Sequence, residues 1–208
     1  ILSLVWGSSY ILIKKSLIGL TPLQVGSLRT ILSTLLLLII GYSSIKTIPK
    51  NKWKWIAITG YVSFIPPFLF AYAQTEIDSA LAAILNSLTP LATLLIGIGF
   101  YRFKIDSKQI SGVILGLIGS VLLMYQGSVI NPDQNIVYVI FIILASILYA
   151  LQVNLLKVYL QDVSAVAITV GNFIFIFPFA VVIFFMTDYN ELDLYDKDVS
   201  SALFYILI

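Results

Sequence analysis

Seven long apolar stretches follow one another along this 208-residue chain with only short polar breaks, and an eighth is under way where the sequence ends. They occupy residues 1–13, 23–43, 53–72, 79–101, 109–127, 136–158 and 165–187, and the eighth begins near Ser201. A bilayer core asks for roughly 20 mostly apolar residues per helix. The runs are continuous rather than alternating, which argues against a strand barrel. In lipid every backbone polar group needs an internal partner, so continuous apolar runs of this length read as helices. The expected fold class is all-α, a polytopic membrane protein.

Composition supports the same solvent. The chain is 60% hydrophobic and 11% charged, where a soluble domain carries about 25% charge, so a water-facing surface could not be covered. Twelve basic against ten acidic residues leave +2, no signature of nucleic-acid binding. Histidine and cysteine are absent. Ser-His-Asp catalysis, histidine zinc sites, disulfides and thiol chemistry are thereby removed, and neither an enzyme nor a bound cofactor or metal is expected. The first stretch is too short to span before Lys14 and the last stops without a polar flank. The chain is therefore expected to be a piece of a longer protein.

Loop charge sets an orientation. Lys46, Lys50 and Lys52, with Lys54 just beyond, follow the second stretch; Arg102, Lys104 and Lys108 face Asp106 after the fourth. On the other side lie Glu76 and Asp78, then Asp133, then Asp188, Glu191, Asp193, Asp196 and Asp198 against Lys197. Basic loops mark the cytoplasmic side, so Lys50 is expected there and Asp193 opposite. Lys14 and Lys15 are exceptions. The expected setting is a cell membrane, the bacterial inner membrane.

An internal echo is present. An ungapped shift that lays Ser3 on Ser146 also places Trp6 on Tyr149, Lys14 on Lys157 and Thr21 on Ser164. If the sixth stretch repeats the first, the unit has five helices, and an odd unit inserts upside down relative to its copy. Residues 1–127 would be the first repeat and 128–208 the start of the second, an architecture used by transporters.

Several stretches are similar to the EamA-type carriers of the drug/metabolite transporter superfamily. They are Trp6-Gly7-Ser8-Ser9-Tyr10 followed by Lys14, Arg29, and Ala71-Tyr72-Ala73 leading through Ser79-Ala80-Leu81-Ala82-Ala83-Ile84-Leu85 to Leu88-Thr89-Pro90-Leu91. Gly112 and Gly119 fit the family's glycine-rich fifth helix. The resemblance implies a ten-helix carrier with both ends cytoplasmic, of which about seven and a half helices are present, and a central cavity lined by helices 1, 3, 4, 6, 8 and 9. Two departures stand out. Phe103-Lys104-Ile105 occupies the place of the family's Glu-Arg-Leu, and Pro66-Pro67 lies outside its pattern.

The residues that could carry function sit inside the stretches. Pro66, Pro67, Pro90 and Pro178 are each expected to kink or interrupt a helix, as hinges or as static packing kinks. Asn86, Thr89 and Thr93 share one helical face with Pro90, turned inward to touch substrate or to bond a neighbour. Trp6 and Tyr10 share a face, as do Tyr149 and Gln152, and their matching placement favours cavity lining. With Tyr72, the expected substrate-binding set is Trp6, Tyr10, Tyr72, Asn86, Thr89, Tyr149 and Gln152, Asn86 supplying a hydrogen bond and the aromatics an apolar wall. Arg29 is expected to anchor by snorkelling to the interface. Gly112, Gly116 and Gly119 are expected to pack within the bundle rather than form a dimer site, leaving a monomer or weak homodimer. All ten acids lie in loops or at helix ends, so none is expected to carry a proton inside a span.

The leading reading is a secondary transporter, an exporter of small metabolites such as amino acids or amphipathic compounds, whose partners are its substrate and the bilayer. A channel lacks support from any glycine-rich re-entrant loop or acidic ring. A seven-helix receptor is disfavoured by the eighth stretch.

Overall fold

The computed structural model describes residues 2–104, 106–130, 135–187, 189 and 195–207. The described residues form helices without strands: α1 (Leu2–Ser16), α2 (Pro22–Ile45), α3 (Trp53–Glu76), α4 (Ser79–Asn86), α5 (Thr89–Gly99), α6 (Ser107–Ile130), α7 (Ile136–Tyr159), α8 (Ala165–Met186) and α9 (Lys197–Leu207). A single 3-10 turn, Lys50–Lys52, leads into α3. Five stretches among the described residues are long and apolar enough to cross a membrane: Pro22–Ile45, Lys50–Glu76, Ser79–Gly99, Ile136–Tyr159 and Ala165–Met186. The protein is an all-α, multi-pass membrane protein.

The polar breaks start the helices. Thr21 Oγ1 accepts from the Gln24 N–H at 3.4 Å, and Gln24 Oε1 accepts from the Thr21 N–H at 2.8 Å, a reciprocal cap on α2 with Pro22 in its first turn. Asn135 caps α7 and Ser164 caps α8 through their side-chain oxygens. One proline site of three interrupts its helix. Pro90 has no N–H for the Asn86 carbonyl, and α4 and α5 are separated there by Ser87 and Leu88. Both residues keep right-handed helical dihedrals, so the chain is kinked rather than unwound. By contrast, α3 continues through Pro66-Pro67 and α8 through Pro178, correcting the expectation of interruption. There α3 lies against α7 and α8, and α8 against α2, the setting in which membrane helices tolerate proline.

The bundle is organised by a few helix pairs. Helix α2 packs on α8, α3 on α7 and α8, α4 and α5 on α7, and α9 on α1 and α2. The α3–α8 crossing is close because it is made at glycines. A Cβ on Gly171 would stand 2.7 Å from Ile56 Cγ2, and one on Gly60 would stand 3.0 Å from the Asn172 carbonyl. Across this crossing Thr59 Oγ1 donates to Asn172 Oδ1 at 3.0 Å. The small-residue face of α6 behaves differently. Nothing lies within 4 Å of a Cβ built on Gly112, Gly116 or Gly119, which corrects the expectation that they pack inside the bundle. Gly112 and Gly116 instead line a cleft between α6 and the α4–α5 kink, with Ser87, Pro90 and Leu91 across it.

Three apolar cores hold the described bundle: Phe70, Ala73, Ile77, Ala82, Leu85, Ile142 and Ala145; Ile48, Ile56, Leu160, Val163 and Ala167; and Leu20, Val25 and Ala202. Beside the second core, Lys52 Nζ donates to Asp162 Oδ1 at 2.7 Å and to the Tyr159 carbonyl at 2.9 Å, tying the α2–α3 turn to the α7–α8 turn. That hydrogen bond from Lys52 holds the Asp162 carboxyl below the usual carboxylate range. Lys14, an exception to the loop-charge pattern, has a structural partner. Its ammonium donates to the carbonyls of Gln74 at 2.7 Å and Ile77 at 3.1 Å, capping the C-terminal end of α3.

Candidate functional site

The α4–α5 kink places polar side chains in the middle of the bundle. Asn86 is the last residue of α4, and freeing its carbonyl from the helix ladder coincides with turning its side chain toward α7. Asn86 Oδ1 accepts from Thr89 Oγ1 at 3.0 Å and from Ser146 Oγ at 3.4 Å. The Tyr10 hydroxyl of α1 lies beside the same side chain. Arg29 lies in the third turn of α2, roughly 11 Å along a helix that rises 1.5 Å per residue. Its Nη2 donates to Ser9 Oγ at 3.0 Å, and its charge lies within electrostatic reach of Tyr10 and Tyr149. Phe70 of α3 is the apolar floor, its ring centroid 5.5 Å from that of Tyr10 and 6.2 Å from that of Tyr149. Five spans thus contribute to one cluster.

The hydrogen bonding continues along α5. Thr93 Oγ1 donates back to the Thr89 carbonyl at 2.8 Å, while buried Asn154 donates Nδ2 to the carbonyls of Thr93 at 3.0 Å and Ala150 at 2.8 Å. The Asn86, Thr89, Thr93 stripe therefore faces α7.

Of the residues expected in a site, Tyr10, Asn86, Thr89 and Tyr149 are brought together. Three are not. Trp6, one turn before Tyr10, is 66% exposed; Tyr72, on the turn beyond Phe70, is 38% exposed. Gln152 is half-buried one turn past Tyr149, outside the cluster's hydrogen bonds. Helical spacing groups residues on a face but does not say how far along the helix a neighbour still covers that face. Pro66 is buried in α3, Pro67 is half-buried beside it, Pro90 marks the kink, and Pro178 is exposed on α8. Asp193, expected opposite Lys50, lies outside the described residues, as do Asp133, Asp188 and Glu191.

Arg29 corrects an expectation. It turns to Ser9 and the two tyrosines rather than out to the interface, because α1 places a hydroxyl acceptor within hydrogen-bond distance of it. Ser9, Phe70 and Ser146 were missed as site residues. Ser146 was signalled only by its match to Ser3, and Phe70 by nothing beyond its apolarity. Among the described residues the acids Glu76, Asp78, Asp106, Asp162, Asp196 and Asp198 are all exposed, and the one salt bridge is Lys52–Asp162. Those residues also contain no group of His, Cys, Asp and Glu able to hold a metal.

The profile of the EamA-like transporter family matches residues 1–125. The chain belongs to the EamA-like transporter family. Protein PagO of Salmonella typhimurium strain LT2 is 26% identical over 120 residues, covering 56% of this chain and 40% of that protein. An uncharacterized transporter encoded in the trpA 3' region of Buchnera aphidicola subsp. Schlechtendalia chinensis is 23% identical over 155 residues, 73% of this chain and 51% of that protein. The matches thus span about half, or less, of these curated relatives.

The structure also accounts for the departure at Phe103 in this EamA-like protein. Its N–H donates to the Gly97 carbonyl at 3.0 Å as Arg102 turns the chain with φ 53°. The Phe103 ring packs against Gly97 and lies 4.3 Å beneath the Lys157 ammonium. An aromatic face serves here as the cation's partner.

Proposed function

We propose that this EamA-like protein is part of a secondary transporter that exports small metabolites, such as amino acids or amphipathic compounds, by alternating access. The observation that carries the reading is the mid-span cluster of Tyr10, Arg29, Asn86, Thr89, Ser146 and Tyr149, assembled where the fourth span is kinked. Discontinuous helices with polar groups at mid-membrane are where carriers bind substrate, and a few placed polar groups within an aromatic lining suit a small amphipathic molecule. In this reading the protein catalyses no chemical reaction, sits in the bacterial inner membrane with the Lys50 end in the cytoplasm, and works as a monomer or weak homodimer.

The inverted repeat belongs to the same proposal, with residues 1–127 as one unit and 128–208 as the start of its copy. Helix packing supports it. A five-helix offset pairs the first, second and third spans (α1, α2, α3) with the sixth, seventh and eighth (α7, α8, α9). The α3–α7 contact then has its counterpart in α9–α1, and α3–α8 in α9–α2, while α2 and α8 pair with each other. The two halves would rock about the α2–α8 contact, with Pro90 as a hinge and Pro66, Pro67 and Pro178 as fixed bends.

Proteoliposome flux tests the reading. Saturable uptake that supports counterflow is expected; a non-saturating conductance would identify a channel instead. Replacing Asn86 with Ala is expected to weaken substrate binding by about 1–3 kcal/mol, the usual loss for a buried hydrogen-bond partner. Binding and thermal stability measured on the same purified variant separate this from a packing role, in which stability falls and the folded fraction binds normally.

A further inference from the structure

We infer that Arg29 is the specificity-determining residue of the central cluster and that the molecule carried bears a carboxylate; this deepens the transport reading and rests on it. The argument is one of charge. Arg29 sits in the third turn of a membrane-spanning helix, donates to the neutral Ser9 hydroxyl at 3.0 Å, and is flanked by Tyr10 and Tyr149. Every described acid is exposed, and the only described salt bridge lies elsewhere, between Lys52 and Asp162. An ionised group at membrane depth is costly unless it is paired or serves a ligand. A guanidinium has five donors in a planar fork, and Ser9 engages one nitrogen, so the second edge of the fork suits a bidentate carboxylate.

The surroundings define the rest of the molecule. Phe70 is buried, and its ring with those of Tyr10 and Tyr149 forms an aromatic wall next to the charge. Asn86 brings its amide N–H groups to the cluster, its carbonyl oxygen being taken by Thr89 and Ser146. A carboxylate on Arg29 with an apolar or aromatic body against the rings uses all of these groups. A cationic amine would meet the guanidinium's repulsion with no described acid to offset it.

The test uses the complete purified transporter in proteoliposomes, loaded in turn with a radiolabelled amino-acid mixture, 3-phenylpropionate, and the corresponding amides and decarboxylated amines. Saturable counterflow is expected for carboxylates and not for their amides or amines. Arg29→Gln is expected to reduce carboxylate flux about tenfold or more, the scale of one lost charge-assisted pair, with Arg29→Lys retaining part of it. Should Arg29→Gln fail to fold, the wild-type preference for acid over amide and the Arg29→Lys flux still decide. Flux of amides or amines equal to that of the acids, or an Arg29→Gln protein that still prefers acids, overturns the assignment while leaving the protein a transporter. Absence of saturable counterflow with every probe, neutral and cationic ones included, overturns the transport reading together with it.

Discussion

Thr59 and Asn172 meet at a close helix crossing, and their hydrogen bond is buried between α3 and α8. Thr59 can also donate to the carbonyls of Trp55 and Ile56 on its own helix. A single hydroxyl proton is shared among these acceptors, which limits what the interhelical bond contributes. Thr59→Val keeps the shape and removes the donor, leaving Asn172 Oδ1 without it. The expected cost is about 1 kcal/mol, the scale found for hydrogen bonds between membrane helices, read as a lower thermal midpoint in detergent. An unchanged midpoint would mean that Thr59 satisfies its own helix and that glycine packing alone holds the crossing.

Helix surfaces in this protein divide glycines into two kinds. Gly171 has Ile56 where a Cβ would go, at 2.7 Å, whereas Gly116 on α6 has open space. Gly171→Ala is therefore expected to destabilise by about 1–3 kcal/mol through overpacking. Gly116→Ala is expected to be neutral or stabilising by up to about 1 kcal/mol, since alanine is the better helix former. Thermal unfolding of the two variants side by side checks the contrast, and a Gly116 variant as damaged as the Gly171 variant would place another surface against α6. The turns carry a pH-dependent element. Asp162 is exposed and its carboxyl is held low by the Lys52 hydrogen bond. A depressed folded-state pKa gives stability that is present above the unfolded value, about 3.9 for aspartate, and lost as pH falls through the folded one. Above about pH 5 the α2–α3 and α7–α8 turns should stay tied. On acidification below the ordinary carboxylate range the wild type should lose an increment of thermal stability that Asp162→Asn lacks throughout.

At the scale of the whole molecule, charge is distributed between the two ends of the bundle. Lys46, Lys50, Lys52 and Lys54 share one end with Asp162, bridged by the Lys52 contacts. Glu76 and Asp78 lie at the other end, where α3 gives way to α4. The basic end is expected in the cytoplasm. In intact cells a cysteine at position 76 should then react with an impermeant maleimide while one at position 50 reacts only after lysis. The opposite order of labelling would invert the protein in its membrane. Lys14 belongs by position to the acidic end, and its ammonium is consumed in capping α3, so it no longer weighs against that orientation.

Length and continuity of apolar runs were enough to place the spans, because transfer into hydrocarbon is a property of each segment on its own. Thr21 and Ser164, which cap α2 and α8, were legible as polar punctuation for the same local reason. The inward turn of Asn86 and Thr89 also followed from one helix, since hydrocarbon penalises a polar face wherever that helix lies. What Arg29 touches did not follow. Snorkelling outward and bonding inward to Ser9 are equally compatible with the α2 sequence, and only the position of α1 beside it selects the second. The same holds for glycine: Gly171 and Gly116 look alike in sequence, and whether a neighbour stands where a Cβ would go is set by a distant segment. Nor does the local sequence distinguish Pro66-Pro67, which stays helical, from Pro90, which marks a break. Segment hydrophobicity thus determined that the chain forms membrane helices and where they begin and end. Contacts between segments far apart in sequence decided which polar groups meet, because pair energies depend on positions that no single segment contains.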